Sequence, residues 1–364
     1  MIRRFERRKV GVCALTLLAP LAWGQSSPRD GKFLFEQEQF GGNGRTCQTC
    51  HSQESGTVSP IDAQRRFVIN QKDPLFRHDA TDDGNGHGLQ RFLTEATILV
   101  EIPLPPNVRL ADDPNARSVA LRRGIPSTLN TPALDPVLQW DGREPSLLTQ
   151  ARSAIQGHAQ SPIVPSDADL DAIARFQQTD RFFSSDALRQ FARGGAEPLL
   201  PEGSTDSERR GRKFFEDVFD PQNLKLGACA VCHSGPLLNR TNQFFPAPPG
   251  TRFQSVAVSE FNEAKNPVRN YVFRNPDGSE TTVVSPDPGR ALITGVAKDA
   301  NIFKIPTLRG VRRTAPYFHD NSARTLEDAV AHYARLFAVL IPGLPIILTP
   351  QDQADIVAYM KLLE

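Results

Sequence analysis

Apolar positions recur on a helical period between residues 325 and 340. In "TLEDAVAHYARLFAVL", at about 100° per residue, Leu326, Val330, Tyr333, Phe337 and Leu340 share one stripe, with Tyr333 near its centre. His332 lies about 100° off that stripe. This pattern predicts an amphipathic helix. "SDADLDAIARFQQT" (166–179) predicts another, with Ser166 placed to cap it, and "TPQDQADIVAYMKLL" (349–363) a third. "YVFRNPDGSETTVV" (271–284) is rich in β-branched and aromatic residues around an Asp-Gly pair and predicts a β-hairpin. The chain holds 30 prolines and 25 glycines, and stretches such as "EIPLPPNVRLADDP" and "FFPAPPGTRF" cannot be helix interiors. The fold expected is mainly α, with long loops and a small β-hairpin.

Two segments repeat one plan. "GKFLFEQEQFGGNGRTCQTCH" (31–51) and "GRKFFEDVFDPQNLKLGACAVCH" (211–233) each read as a short amphipathic helix, a turn and then C-x-x-C-H. Between them, "ARGGAEPLLPEGSTDSERRG" (192–211) is rich in Gly, Pro and charge and reads as a linker. The expected units are therefore 25–202 and 203–364, each long enough to bury a core.

The N-terminus changes the charge and the compartment. Arg3, Arg4, Arg7, Arg8 and Lys9 precede an apolar run too short to span a bilayer, and a small-residue site follows at Gly24. Residues 1–24 read as a signal peptide cleaved near Gly24, with export to a bacterial periplasm. That segment carries five basic residues and one acidic, so the formal charge moves from +1 to −3 on its loss. So weak a charge gives no reason to expect nucleic acid as a partner. No later stretch approaches the roughly 18 apolar residues of a membrane span. Of the five cysteines, Cys13 departs with the signal and the remaining four all lie in the two C-x-x-C-H motifs.

Three chemistries use C-x-x-C. A redox dithiol needs a neighbouring βαβ pattern, which neither copy has. A zinc site of four cysteines leaves both following histidines unexplained. Covalent haem accounts for every atom, with two thioethers to the vinyl groups and iron ligation by the adjacent imidazole. Cys47, Cys50 and His51 would hold one haem c, and Cys229, Cys232 and His233 a second.

Each histidine fills one axial face of its iron. After loss of the signal the one methionine is Met360, which reads as core. The spare histidines are His78, His87, His158, His319 and His332. Tyr333 is either an axial ligand or a core aromatic, and helical geometry alone leaves the two even.

These motifs, with "WDGREPSLLTQA" (140–151), "DPGR" (287–290) and "FKIPTLRGVRRTAPYFHDNSARTLEDAV" (303–330), resemble the bacterial di-haem cytochrome c peroxidases and their relative, the methylamine-utilisation enzyme that oxidises protein tryptophans. The resemblance implies two cytochrome c-like domains. It implies that hydrogen peroxide reacts at the N-terminal haem and that electrons enter at the C-terminal one. It places Trp140 as a charge relay between the haems and Tyr333 as the second axial ligand of the His233 haem. An anionic phenolate there favours ferric over ferrous iron. Gln150 matches the family's distal glutamine. Gln160 stands where the family has a proton-moving glutamate, and an amide cannot serve as an acid or base. His158, two residues away, is able to, or is a loop residue hydrogen-bonded in place. The family's inter-haem calcium would take carbonyls of Thr314 and Pro316, but Ile125 replaces the asparagine that completes it. "HDATDDGNGHG" (78–88) lacks a calcium-loop spacing and reads as a surface loop.

The function expected is a periplasmic di-haem peroxidase. Its electrons would come from a small cytochrome c or cupredoxin, or from a protein substrate. A non-enzymatic electron carrier, an oxygenase using dioxygen and a peroxide sensor are the rivals. A homodimer is left open.

Overall fold

The computed structural model describes residues 29–262, 264–340 and 345–364. The signal peptide expected at 1–24 lies outside them. The architecture is mainly helical with three small antiparallel sheets.

The three strongest helical patterns all form helices, and their caps explain where they start. Ser166 accepts from the Asp169 amide ahead of Asp167–Thr179. Thr349 and Asp352 make a reciprocal capping box ahead of Pro350–Met360. The third, Leu326–Leu340, has Asp328 accepting from the backbone of Arg324 and Thr325. It buries more than one stripe: Ala329, His332 and Leu336 go inside along with Val330 and Phe337.

An N-terminal helical core packs Gly31–Glu36 and Leu147–Gly157 on Asp167–Thr179. Phe35, Phe176 and Phe183 meet edge to face within it, at centroid distances of 5.2 to 5.7 Å. Gly31 lies so close to Asp167–Thr179 that a Cβ would stand 2.1 Å from the Ala172 carbonyl. The C-terminal core packs Pro350–Met360 against Asp206–Arg212 and Leu326–Leu340.

The β-structure is richer than the single hairpin expected. That hairpin forms as Arg269–Arg274 with Glu280–Ser285, and Gly278 takes φ +85° in the turn. Val108–Leu110 adds a third strand to it. A second pair, Thr97–Pro103 with Ser118–Gly124, runs in register from Thr97 opposite Gly124 to Pro103 opposite Ser118. Alternation is visible in "SVALRRG", where Val119, Leu121 and Arg123 face inward. One hydrophobic core draws on 58–125 and on 271–292 together, so the β-region joins the chain on both sides of residue 203.

The stretch read as a linker is in part helix. Asp206–Arg212 is capped by Thr205 with Glu208 in a reciprocal box, a T-x-x-E signal embedded in a polar run. The helix before the second motif thus begins earlier than Gly211, and Phe214 and Phe215 follow it in tight turns.

Candidate functional site

Both C-x-x-C-H segments fold alike. The His51 amide donates to the Cys47 carbonyl and the His233 amide to the Cys229 carbonyl. Each imidazole then ties back five residues on, His51 Nδ1 to the Gly56 carbonyl at 2.7 Å and His233 Nδ1 to the Leu238 carbonyl at 2.8 Å. A carbonyl at Nδ1 fixes the proton there and leaves the Nε2 lone pair free for a metal. Burial holds both imidazoles neutral, pulling His233 down to about 4. The four thiols are unpaired, and burial pushes Cys47, Cys229 and Cys232 up to about 12. A reactive redox dithiol needs the opposite shift.

One internal cavity reaches both motifs. Cys47, Cys50 and His51 line it at one end, and Cys232, His233 and Tyr333 at the other. Its wall is largely apolar, with Arg45, Arg123, Arg143, Lys304 and Arg309 supplying cationic groups. Free thiols, neutral imidazoles with open Nε2 atoms, an apolar slot and cations for carboxylates fit two covalent haems.

A repeat that the sequence reading missed explains how the two ends differ. Leu138 bridges Glu144 as Tyr317 bridges Ala323. Gln139 and Phe318 share φ near +70°, at 69° and 70°. Asp141 accepts from the Arg143 amide as Asp320 does from Ser322. Each turn then opens a helix, Leu147–Gly157 in one copy and Leu326–Leu340 in the other. Ala154 follows Leu147 by the same seven residues that separate Tyr333 from Leu326, and both line the cavity. Where one copy presents a phenol, the other presents a methyl group. "WDGREPSL" set against "HDNSARTL" carries this signal in the sequence.

The same alignment pairs Trp140 with His319, both lining the cavity. Gly124 joins them: its carbonyl accepts from Trp140 Nε1 at 2.8 Å, and its amide donates to the His319 carbonyl at 2.8 Å. A Cβ on Gly124 would stand 2.1 Å from Asn321 Oδ1, so a larger residue would displace an amide that donates to the Glu95 and Ala96 carbonyls. His319 is buried and stacks on Phe303 at 3.7 Å. The strand that ends at Gly124 also delivers Arg123, buried at 1% exposure. Arg123 pairs through two bonds of 2.8 Å with Asp287 of "DPGR" and at 2.5 Å with Asp141 of "WDGR". Burial alone would lower the guanidinium pKa, but the two carboxylates outweigh it and raise it. Replacing Arg123 by methionine leaves buried Asp287 without its counter-charge and buried Asp141 with Arg143 alone. It should cost about 3–5 kcal/mol, read as a fall in the denaturant midpoint at unchanged slope.

Around the first end, Gln150 lines the cavity and its amide makes no side-chain hydrogen bond among the described residues. His158 closes the same helix face, and its Nδ1 donates to Asp79 Oδ2 at 2.6 Å. Asp79 is buried and also pairs with Arg45 Nη1 at 2.6 Å. Gln160 is exposed, accepts from Asn43 at 3.1 Å, and borders a shallow depression with His78 rather than the cavity. Burial pushes the Asp79 pKa up, but the His158 hydrogen bond and the Arg45 charge prevail and take it from 3.8 to about 2. A depressed carboxylate stabilises above its unfolded value and loses that contribution as pH falls through its folded one. About 2 kcal/mol should therefore disappear between pH 4 and pH 2, and Asp79→Asn should flatten that part of the stability curve.

At the second end the Tyr333 hydroxyl makes no hydrogen bond among the described residues. Burial, with both Cys232 and Cys229 adding to it, holds its pKa far above the ordinary phenol. It stays protonated unless a cation such as ferric iron takes its oxygen. Met360 is buried and lines the same end. His332 is spoken for: Nε2 donates to the Val256 carbonyl at 2.7 Å, and Nδ1 accepts from Asn262 at 3.3 Å. Thr314 and Pro316 both line the cavity. No group of three or more His, Cys, Asp or Glu side chains able to hold a metal ion occurs among the described residues. In the 78–88 loop, Asp82 accepts from the Gln90 and Arg91 amides, and Asp83 from Asn85 and His87.

No family model matches the chain. The cytochrome c551 peroxidase of Nitrosomonas europaea is 30% identical over 227 residues, which is 58% of this chain and 58% of that protein. The cytochrome c551 peroxidase of Pseudomonas aeruginosa is 27% identical over 239 residues, 62% of this chain and 60% of that one. The chain thus spans less than two thirds of the length of these relatives. Among solved structures, a MauG-like protein associated with microbial copper homeostasis aligns with TM-score 0.50 and 21% identity over 92% of this chain and 86% of that one. The diheme peroxidase BthA of Burkholderia thailandensis aligns with TM-score 0.50 and 16% identity over 92% and 84%. Over part of its length the chain is similar in sequence to bacterial cytochrome c551 peroxidases, and its fold is like that of a MauG-like protein and of a diheme peroxidase.

Proposed function

We propose that the protein is a periplasmic di-haem c-type peroxidase built of two cytochrome c-like units, 25–202 and 203–364. Its second substrate is a small redox protein, a cytochrome c or cupredoxin, or an oxidisable residue on a protein. The observation that carries this reading is the unequal pair of cavity ends. Ala154 and Tyr333 hold equivalent places in the repeated turn and helix, and both line the cavity that His51 and His233 also line.

Cys47, Cys50 and His51 hold the first haem, and Cys229, Cys232, His233 and Tyr333 the second. When bound, the first group supplies an iron with one face free for hydrogen peroxide, and the second supplies a redox partner for it. The chain's own residues supply the rest. Gly56 and Leu238 orient the two imidazoles. Gln150 offers an amide to a ligand on the open face. Trp140 stands in the wall between the ends, held by Gly124. Names of relatives support peroxide as the oxidant. Among the described residues no helix is long and apolar enough to cross a membrane.

The test is low-temperature EPR of the purified ferric protein beside steady-state peroxide consumption with a reduced cytochrome c. One high-spin and one low-spin signal, with turnover, is the expected result. Two low-spin signals that persist after one-electron reduction, without turnover, would make the protein a carrier.

A further inference from the structure

We propose that His158, oriented by Asp79, is the proton carrier of the open haem site, in the place that the family gives to a glutamate. This inference rests on the peroxidase reading above.

His158 lies at the C-terminal end of Leu147–Gly157, four residues after Ala154 and eight after Gln150, so all three share one helix face along the cavity. Ala154 marks the open axial face, by its equivalence to Tyr333. His158 therefore stands one turn beyond Ala154 on the helix face that lines the cavity. Its position is fixed twice. Its carbonyl accepts from Asn43 Nδ2 at 3.0 Å and from Arg45 Nη1 at 3.1 Å, and its ring from behind is bound to Asp79 at 2.6 Å. Asp79 cannot turn away, because Arg45 holds its other oxygen while donating to the Pro74 and Leu75 carbonyls. A carboxylate on Nδ1 sets the tautomer with the proton on Nδ1 and the lone pair on Nε2. Nε2 makes no hydrogen bond among the described residues.

The alternatives near this end are poorer. Gln150 is an amide, which donates hydrogen bonds but cannot serve as an acid or base. Gln160 borders a different depression. Glu38 lines the cavity, but Arg29 and the Phe40 amide occupy its two oxygens. Charged and titratable groups facing His158 are Asp79, Arg45 and, through space, His51.

The step balances as a proton relay. His158 Nε2 would take the proton from one peroxide oxygen and return it to the other, which leaves as water with the electron pair of the broken O–O bond. The bound cofactor would supply the two electrons, the donor would restore them, and His158 would end neutral as it began.

Hydrogen cyanide tests the proton step without turnover, since it binds ferric haem as the anion and must first lose its proton. In the holoprotein, His158→Gln should slow cyanide binding about 100-fold at neutral pH and erase a limb of its pH profile. Its circular dichroism and its high-spin EPR signal should match those of the parent. Asp79→Asn should also slow cyanide binding, because the His158 ring loses the partner that orients it. If the parent binds cyanide and His158→Gln matches it in rate and profile, the relay is wrong while the peroxidase reading stands. If the parent binds no cyanide and consumes no peroxide, the open-haem reading falls and takes the relay with it. A drop in peroxide consumption alone, with cyanide kinetics unmoved, would also overturn the relay.

Discussion

Replacing Ala154 by tyrosine should close the open haem. The two helices that follow the matched turns present position 154 and position 333 to the cavity in the same register. A phenol at 154 should then do for the His51 iron what Tyr333 is proposed to do for the His233 iron. The expected result is loss of the high-spin ferric signal and a fall in peroxide consumption of about 100-fold or more, at least about 2.7 kcal/mol in the barrier. Stability should change little, because the added ring enters existing cavity space rather than a packed core. Persistence of both the high-spin signal and turnover would mean that the open face is not set by residue 154.

Replacing Tyr333 by methionine should raise the reduction potential of the second haem. An anionic oxygen stabilises ferric iron and a thioether stabilises ferrous iron, and axial ligands shift haem potentials over a range of about 0.8 V. A rise on the order of 0.1 V or more is expected in a spectroelectrochemical titration, with the first haem unchanged. Burial already holds the free phenol protonated, so its ionisation depends on the iron rather than on solvent pH. A potential that did not move would place another side chain on that iron. Met360, which lines the same end, would be the next to test. A weaker drive to hold oxidising equivalents should accompany the higher potential, leaving a better simple relay from a high-potential donor.

The legible part of this protein follows short-range rules. Helix caps at Ser166 and Thr349 act over three residues, and the sequence reading placed the first of them. The C-x-x-C-H motifs are equally local, because thiols and imidazole must meet one porphyrin from a single turn. The Thr205 cap obeys the same rule and was hidden only by the polar company it keeps. The paired turns that align Ala154 with Tyr333 were also within reach, since "WDGREPSL" and "HDNSARTL" stand in the same position before a helix.

What no local rule could supply is the set of partners brought from far along the chain. His158 meets Asp79 across 79 residues, and Arg123 meets Asp287 across 164. Strand alternation says that position 123 faces inward, but not that two carboxylates wait there. Nor does sequence spacing tell that Gln160 turns outward at φ +51° while His158 stays on the cavity face. The amino-acid order alone showed two C-x-x-C-H motifs, the main helices and a tyrosine at the centre of an apolar helical stripe. Only the tertiary structure decided which titratable side chain shares the cavity wall with Gln150 and Ala154. A buried charge is tolerable only where distant chain supplies its counter-charge, and that pairing is a property of the packed fold.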